Sequence, residues 1–375
     1  MQSHGRNMIR SSAVYLRPNR AAQQRCQISS LSLVNSKLIA PALFDAAQKV
    51  DLDVAVSMVR KFDPVAYMPG LLLPTRDARL GYFAFRSFWV QTGLRIAPLP
   101  TIGNDRESAV NHTTPLGIEE ERIRRWRLGI QSIYDDVDGS NESKAWSTDP
   151  TLRLIHYLHQ THPLSKNYFE SILDARLRDM SVTQYDTVQD LINHGSASCA
   201  NLINLILELE GVPKPGVGEV SSSQIYLAAK EVGTAHGLTN ALRGSIPVLS
   251  TTGKLVVAAE LCVKYGVKTP RYLLSALAIG DDDCKRALRS AVRDLVAYAR
   301  EHLERARKRR TEVLSESGGD AAVSAFLPVT ASETFLDRLE MKTFDLTDRN
   351  LRSVGMTEHA KCTLKLYKAS LQQQY

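Results

Sequence analysis

From residue 45 onward, apolar side chains recur three and four positions apart and almost never alternate. That spacing stacks them along one stripe of an α-helix, whereas a half-buried strand needs a period of two. Val50, Val54, Val56, Met58 and Val59 make a first stripe that ends at Asp63-Pro64, since proline lacks an N–H and crowds the preceding turn. A loop with Pro69, Gly70 and Pro74 is expected next. Arg76 to Ile96 then reads as a long, largely buried helix rich in aromatic residues (Tyr82, Phe83, Phe85, Phe88, Trp89). Glu119 to Tyr134 follows, its acidic start suiting a helix N-terminus. Leu152–His162 and Asn167–Met180 are shorter helices, and Thr187–Glu210, Ser223–Arg243 and Ala287–Arg310 longer ones. Within Thr187–Glu210 the run Gly195-Ser196-Ala197-Ser198 is small enough to admit a neighbouring helix closely. The expected fold class is all-α, one helical body formed by burying these stripes against each other.

Charge divides the chain. Its formal net charge is +7, but Arg6, Arg10, Arg17, Arg20, Arg25 and Lys37 precede the first acid, Asp45. Without that segment the chain is nearly neutral, which argues against a nucleic-acid partner. An Arg- and Ser-rich, acid-free leader with Met8, Ile9, Val14, Tyr15 and Leu16 between its cations has the composition of a mitochondrial transit peptide. The expected division is a leader over 1–44 and a helical domain over 45–375. No run of about 18 apolar residues predicts a membrane-spanning helix. No two of the five cysteines are close enough for a metal knuckle or redox pair, and Cys199, Cys262, Cys284 and Cys362 read as small buried hydrophobes.

Several clusters invite a metal-site reading. Asp135-Asp136-Val137-Asp138 and Asp281-Asp282-Asp283 each resemble half of a Mg²⁺ site, yet both sit at helix ends, where capping and solvation are the expected roles. His156, His159 and His162 share one face of a short helix without a carboxylate or thiolate at matching spacing, so a polar face is expected. His194 and His236 lie in apolar helices as hydrogen-bonded core residues. The basic stretch Arg300–Arg310 is either a solvated helix end or an attraction for anionic lipid.

Segments in a definite order carry a further likeness. Arg76 to Trp89 (RDARLGYFAFRSFW), Arg124 to Tyr134 (RRWRLGIQSIY), Leu173 to Met180 (LDARLRDM), Tyr185 to Val212, Val232 to Val267 and Ala325 to Ser370 resemble successive helices of squalene/phytoene synthase-type proteins. The resemblance implies a single-domain, isoprenoid-synthase-like helical bundle. Active members condense prenyl diphosphates with Mg²⁺ held by two aspartate-rich motifs, because several negative charges enter an apolar cavity. Those motifs would fall near Phe85–Arg95 and just after Leu238–Arg243. Here no acid occurs between Asp77 and Asp105, nor between Glu231 and Glu260. The chain is similar in this respect to the mitochondrial branch that lacks both motifs and serves the assembly of respiratory complex I (NADH:ubiquinone oxidoreductase). FAFRSF, with Arg86, and LRGSIPV carry that likeness.

The resemblance implies no catalytic, metal or cofactor residue and a non-enzymatic role early in complex I assembly. The site would be peripheral, on the matrix side of the inner membrane, with complex I subunits or other assembly factors as partners. A prenyltransferase with an unusual metal arrangement is the alternative. The vestigial pocket would involve Tyr82, Phe85, Arg86, Trp89, His236, Asn240 and Arg243, with Phe88 and Leu238 beside them. Either an isoprenoid or lipid tail enters it, or side chains fill it.

Overall fold

Asp63-Pro64 ends the first helix and starts the second. The structure, a computed structural model, describes residues 46–93, 115–136, 144–214, 223–316, 324–352 and 356–371. The expected leader over 1–44 lies outside the described residues. Helix α1 (Ala46–Phe62) closes where the Asp63 N–H reaches the Val59 carbonyl, and α2 (Pro64–Leu71) begins at once with proline in its first turn, where no N–H is required. The loop expected over Pro69 and Gly70 is therefore helix instead. Both residues are buried, and a Cβ on Gly70 would come within 2.5 Å of the Tyr82 ring. Only a glycine lets α2 lie this close to the aromatics of α3 (Arg76–Gly93).

Most of α3 is buried, on every face, which marks it as a core helix. Phe88 meets Trp126 and Phe169 edge-to-face, with ring centres 5.3 and 5.5 Å apart. Trp126 belongs to α4 (Pro115–Asp135), which starts earlier than the acidic run Glu119–Glu121 suggested, again on a proline. A short turn over Ala145–Thr148 leads to α5 (Pro150–Thr161), capped by Asp149, whose carboxylate accepts the N–H groups of Thr151 and Leu152. Phe169 stands on α6 (Lys166–Ser181).

The expected Thr187–Glu210 helix is present but interrupted. A capping box of Thr187 and Asp190 starts α7 (Val188–Gly195). One wide π turn, Ser196–Ala200, then joins it to α8 (Asn201–Leu209). Helix α9 (Gln224–Thr252) runs past the expected end at Arg243 and through Pro247. Hydroxyls of Ser250, Thr251 and Thr252 bond back to the carbonyls of Pro247 and Val248, and Gly253 at φ 71° ends the helix. The small-residue run does admit a neighbour: a Cβ on Gly237 would meet the Gly195 Cα at 2.4 Å, and one on Gly233 the Ala200 Cα at 2.3 Å.

The remaining helices are α10 (Ala259–Tyr265), α11 (Pro270–Ile279), α12 (Asp282–Lys308), α13 (Arg310–Glu316), α14 (Pro328–Met341), α15 (Arg349–Arg352) and α16 (Met356–Leu371). Helix α9 is the hub, packed against α7, the π turn, α12 and α14, while α3 packs against α1, α5 and α8. No strand occurs among the described residues, and no described helix is long and apolar enough to cross a membrane.

Candidate functional site

Between α3, α8, α9 and the start of α14 lies a cavity of about 20 Å³. Its lining includes Tyr82, Phe85, Arg86, Cys199, His236 and Pro328, and is apolar apart from Arg86 and His236. A volume of this size holds about one water molecule, not a prenyl chain. The π turn delivers Cys199 to the wall, and burial pushes its thiol up, away from nucleophilic ionisation.

Arg86 dominates the site. It is 4% exposed on a helix otherwise lined with rings, and its charge is met from three sides. Nη2 lies 2.7 Å from His236 Nε2, Nη1 lies 3.6 Å from the Asp63 carboxylate, and the Tyr82 ring centre is 5.9 Å from the guanidinium. Arginine has no acceptor, so His236 Nε2 must accept, which places the imidazole proton on Nδ1. Nδ1 in turn lies 2.7 Å from Ser332 Oγ on α14 and donates to it. Burial, reinforced by Arg86 and Arg243, holds the His236 pKa well below the ordinary imidazole value, consistent with the neutral ring. Burial works against the Arg86 charge, but Tyr82 and Asp63 outweigh it and its pKa is raised. Burial likewise pushes Tyr82 up to about 12, and its hydroxyl donates to the Ala66 carbonyl on α2 at 2.8 Å. The relay from Asp63 through Arg86 and His236 to Ser332 thus ties together α3, α9, α14 and the α1–α2 junction.

Of the residues singled out from sequence, Tyr82, Phe85, Arg86 and His236 line the cavity, whereas Trp89, Asn240 and Arg243 are outside that lining. Phe88 packs away from it against Trp126 and Phe169, and Leu238 is fully buried in α9. Trp89 is only half-buried; its ring carries the Arg176 guanidinium at 4.3 Å, with Arg86 at 5.4 Å. Arg243 donates to Asn240 Oδ1 at 2.9 Å and lies 5.2 Å from the Phe335 ring. Sequence reasoning missed Asp63 and Ser332, which are remote in the chain and carry no motif.

Mg²⁺ held by facing carboxylates does not fit this arrangement. Where the first aspartate motif would fall, α3 presents buried Val90, Gln91 donating to Ser87 and Thr151, and Thr92 donating to the Phe88 carbonyl. At the second, α9 presents Gly244 and Ser245, whose hydroxyl donates to the Ala241 carbonyl. The nearby carboxylate, Asp63, already faces Arg86. Oxygen ligands are what Mg²⁺ requires, and guanidinium groups repel it. Among the described residues no three His, Cys, Asp or Glu side chains gather as a metal site.

The other clusters have structural employment. Asp281 accepts the Cys284 N–H at 2.9 Å and pairs with Lys268 at 2.7 Å, a helix cap, while Asp282 and Asp283 point to solvent. Asp135 accepts from Gln131, and Asp136 accepts from the Trp146 indole; Asp138 lies outside the described residues. The three histidines diverge: His156 stacks on Trp146, His159 contacts Tyr134, and His162 lies 3.1 Å from Asp77. In the basic stretch, Arg300 pairs with Asp337 and Glu340, Arg305 with Glu231 and Glu301, and Arg307 with Glu333.

Residues 104–358 match the squalene/phytoene synthase family as a whole. Among curated proteins, "NADH dehydrogenase (ubiquinone) complex I, assembly factor 6 homolog" of Dictyostelium discoideum is 24% identical over 331 residues, 88% of this chain and 80% of its own length. "NADH dehydrogenase (ubiquinone) complex I, assembly factor 6" of Bos taurus is 23% identical over 359 residues, 96% of this chain and 93% of that protein. The Homo sapiens protein of the same name is 23% identical over 297 residues, 79% of this chain and 76% of that one. Among solved structures, a dehydrosqualene synthase in complex with ligand superposes with a TM-score of 0.57 at 19% identity, covering 87% of this chain and 98% of the other. A squalene synthase from Alicyclobacillus acidocaldarius gives 0.57 at 15% identity, covering 80% and 97%. At these identities the structures share the fold.

Proposed function

The chain belongs to the squalene/phytoene synthase family, and we propose that it uses that fold without prenyl-transfer chemistry, as an assembly factor for mitochondrial respiratory complex I. The observation that carries the reading is the interior itself: Arg86, paired with Asp63 and His236, stands within the α3 stretch where the family resemblance puts a synthase's first metal-binding motif. A diphosphate-condensing site needs carboxylates to gather Mg²⁺ and a cavity long enough for two prenyl chains. The cavity beside Arg86 has a volume of about 20 Å³ and is lined by that guanidinium. Relatives named complex I assembly factor 6 support the direction of that reading.

The finer parts of the proposal rest on the sequence. The 1–44 leader acts as a mitochondrial transit peptide, and the 45–375 body works early in assembly, peripherally, at the matrix side of the inner membrane. Protease protection in isolated mitochondria and release by alkaline carbonate test the location; a chain digested in intact mitoplasts contradicts it. An active prenyltransferase remains the competing reading because the structural relatives include synthases. Purified protein incubated with farnesyl diphosphate and Mg²⁺ decides between them. No diphosphate release is expected; turnover removed by chelation would overturn the non-enzymatic reading.

A further inference from the structure

The end of the chain is basic without counter-charge. No Asp or Glu follows Glu358, while Lys361, Lys365 and Lys368 lie beyond it, all on α16. An inner stripe holds that helix in place: Leu366 is 1% exposed, and α16 packs on α14 and α2. Cys362 and Thr334 are hydrogen-bonded, and Lys365 donates to Asp337 at 3.1 Å. Both pairs are 28 residues apart, so α14 and α16 run side by side in the same direction.

The outer stripe is of another kind. Lys361, Leu364, Lys365 and Lys368 fall three and four positions apart on one face, and Tyr367 stands a turn beyond Leu364. All five are exposed, Leu364 to 67% and Tyr367 to 52%. Met341, 72% exposed, closes α14 at the same end of the pair. Apolar tips interleaved with lysines are the pattern of a helix lying in a bilayer interface. The tips enter the headgroup layer, a tyrosine ring sits at the boundary, and lysine stems reach out to lipid phosphates.

Other surfaces lack one half of this pattern. In the basic stretch Arg300–Arg310, Arg300, Arg305 and Arg307 are engaged by carboxylates. On α11, Tyr272 and Ile279 are well exposed, but the solvent-facing Asp282 and Asp283 follow directly, and an anionic surface repels them. Beside α16, Asp337 divides its charge between Lys365 and Arg300. A fitted protein partner suits the face less well than lipid, because lysine is depleted from the cores of protein interfaces and here stands among the apolar tips.

We infer that the outer face of α16 is a docking surface for an anionic bilayer, with Leu364 and Tyr367 entering the headgroup layer and Lys361, Lys365 and Lys368 meeting lipid phosphates. The inference rests on the peripheral location proposed above and names the face that makes the contact.

The 1–44 segment is itself basic and draws the chain toward anionic vesicles, so the readout must be local. Tyr367→Trp is made in the full chain, and its fluorescence is followed with vesicles of equal parts phosphatidylglycerol and brominated phosphatidylcholine. Quenching beyond that of the parent, which has Trp89, Trp126 and Trp146, is expected, and much less with brominated phosphatidylcholine alone. In that background Lys361→Gln with Lys368→Gln should raise the lipid needed for half-quenching by about tenfold or more, each lysine near the surface contributing roughly fivefold in partition. Leu364→Asp should abolish the added quenching. These positions are exposed, and melting curves that match the parent's show the fold intact. The proposal is overturned if Tyr367→Trp is quenched no more than the parent, or if the further variants leave its quenching unchanged. A chain that sediments with vesicles without added quenching is held by its leader or another face; one that does not bind at all leaves an acidic protein surface as the occupant. Fractionation of sonicated mitochondria separates this failure from that of the location: a soluble parent refutes the location itself, whereas a membrane-bound parent with equally bound Leu364→Asp refutes only this face.

Discussion

Removing Arg86 isolates the element on which the interior is built. In Arg86→Met the aliphatic stem is kept and the guanidinium is lost. Asp63, 7% exposed, then keeps a carboxylate oxygen with no cation at 3.6 Å, and His236 Nε2 loses its donor at 2.7 Å. Breaking a buried ion pair from one side costs about 3–5 kcal/mol, since the remaining charge stays desolvated. For a chain of this size, with an unfolding entropy of about 0.7 kcal/mol/K, that corresponds to a fall in melting temperature of roughly 4–7 °C. Urea and thermal denaturation followed by circular dichroism measure it. The double variant Asp63→Leu with Arg86→Met removes both charges and should recover most of the loss, because a buried pair exchanged for apolar residues is often neutral to about 1 kcal/mol or better. A single variant within about 0.5 kcal/mol of the parent, or a double variant as unstable as the sum of its singles, would refute the reasoning.

Three further outcomes follow from the same structure. Gly233→Val should destabilise by about 1–3 kcal/mol through overpacking against the Ala200 backbone, whereas Gly244→Ala, whose Cβ would sit an ordinary 3.7 Å from Val248, should be stabilising by up to about 1 kcal/mol; paired melts that show equal effects would contradict the crossing geometry. Asp281→Ala should cost about 0.5–2 kcal/mol as a lost helix cap, while Asp282→Asn and Asp283→Asn stay within about 0.5 kcal/mol and EDTA leaves all three melting curves unmoved; an EDTA effect would make that cluster a metal site. His194, held down to about 4 chiefly by burial, and His236, also depressed, both stay neutral in the folded chain as pH falls. The unfolded chain takes up protons near pH 6.5, so their stabilisation is complete above that value and is lost as pH drops toward 4, with a slope of up to about 1.4 kcal/mol per pH unit for each. His236→Gln should flatten that slope in urea titrations at pH 7.5, 6 and 5; an unchanged slope would exclude its part.

Local patterns made the helical frame legible. The aromatic stripe of α3 and the apolar stripes of α6 and α12 needed only period and termini, and the small-residue run at Gly195 announced the close crossing with α9. Helix bounds differ from expectation at two places. A loop is expected at Pro69 and an end of α9 at Arg243, short of Pro247, but the backbone stays helical at both: Gly70 packs against the Tyr82 ring, and hydroxyls bond back at the end of α9. The interior was harder to read. Arg86 and His236 stand out as polar residues in apolar helices, so their burial together is a local expectation. Asp63 and Ser332 complete the relay from positions far away in sequence, and no spacing rule connects them to it. The π turn that carries Cys199 to the cavity likewise has no signature in the residues Ser196–Ala200.

A native-gel separation of respiratory complexes from cells lacking this protein tests the central claim most directly. The account predicts a selective loss of assembled complex I with the other complexes retained. Re-expression of the intact chain should restore it, and so should a chain carrying Asp281→Asn, Asp282→Asn and Asp283→Asn, since Asp281 caps a helix and Asp282 and Asp283 face solvent. Complex I at its normal level in those cells would contradict the account.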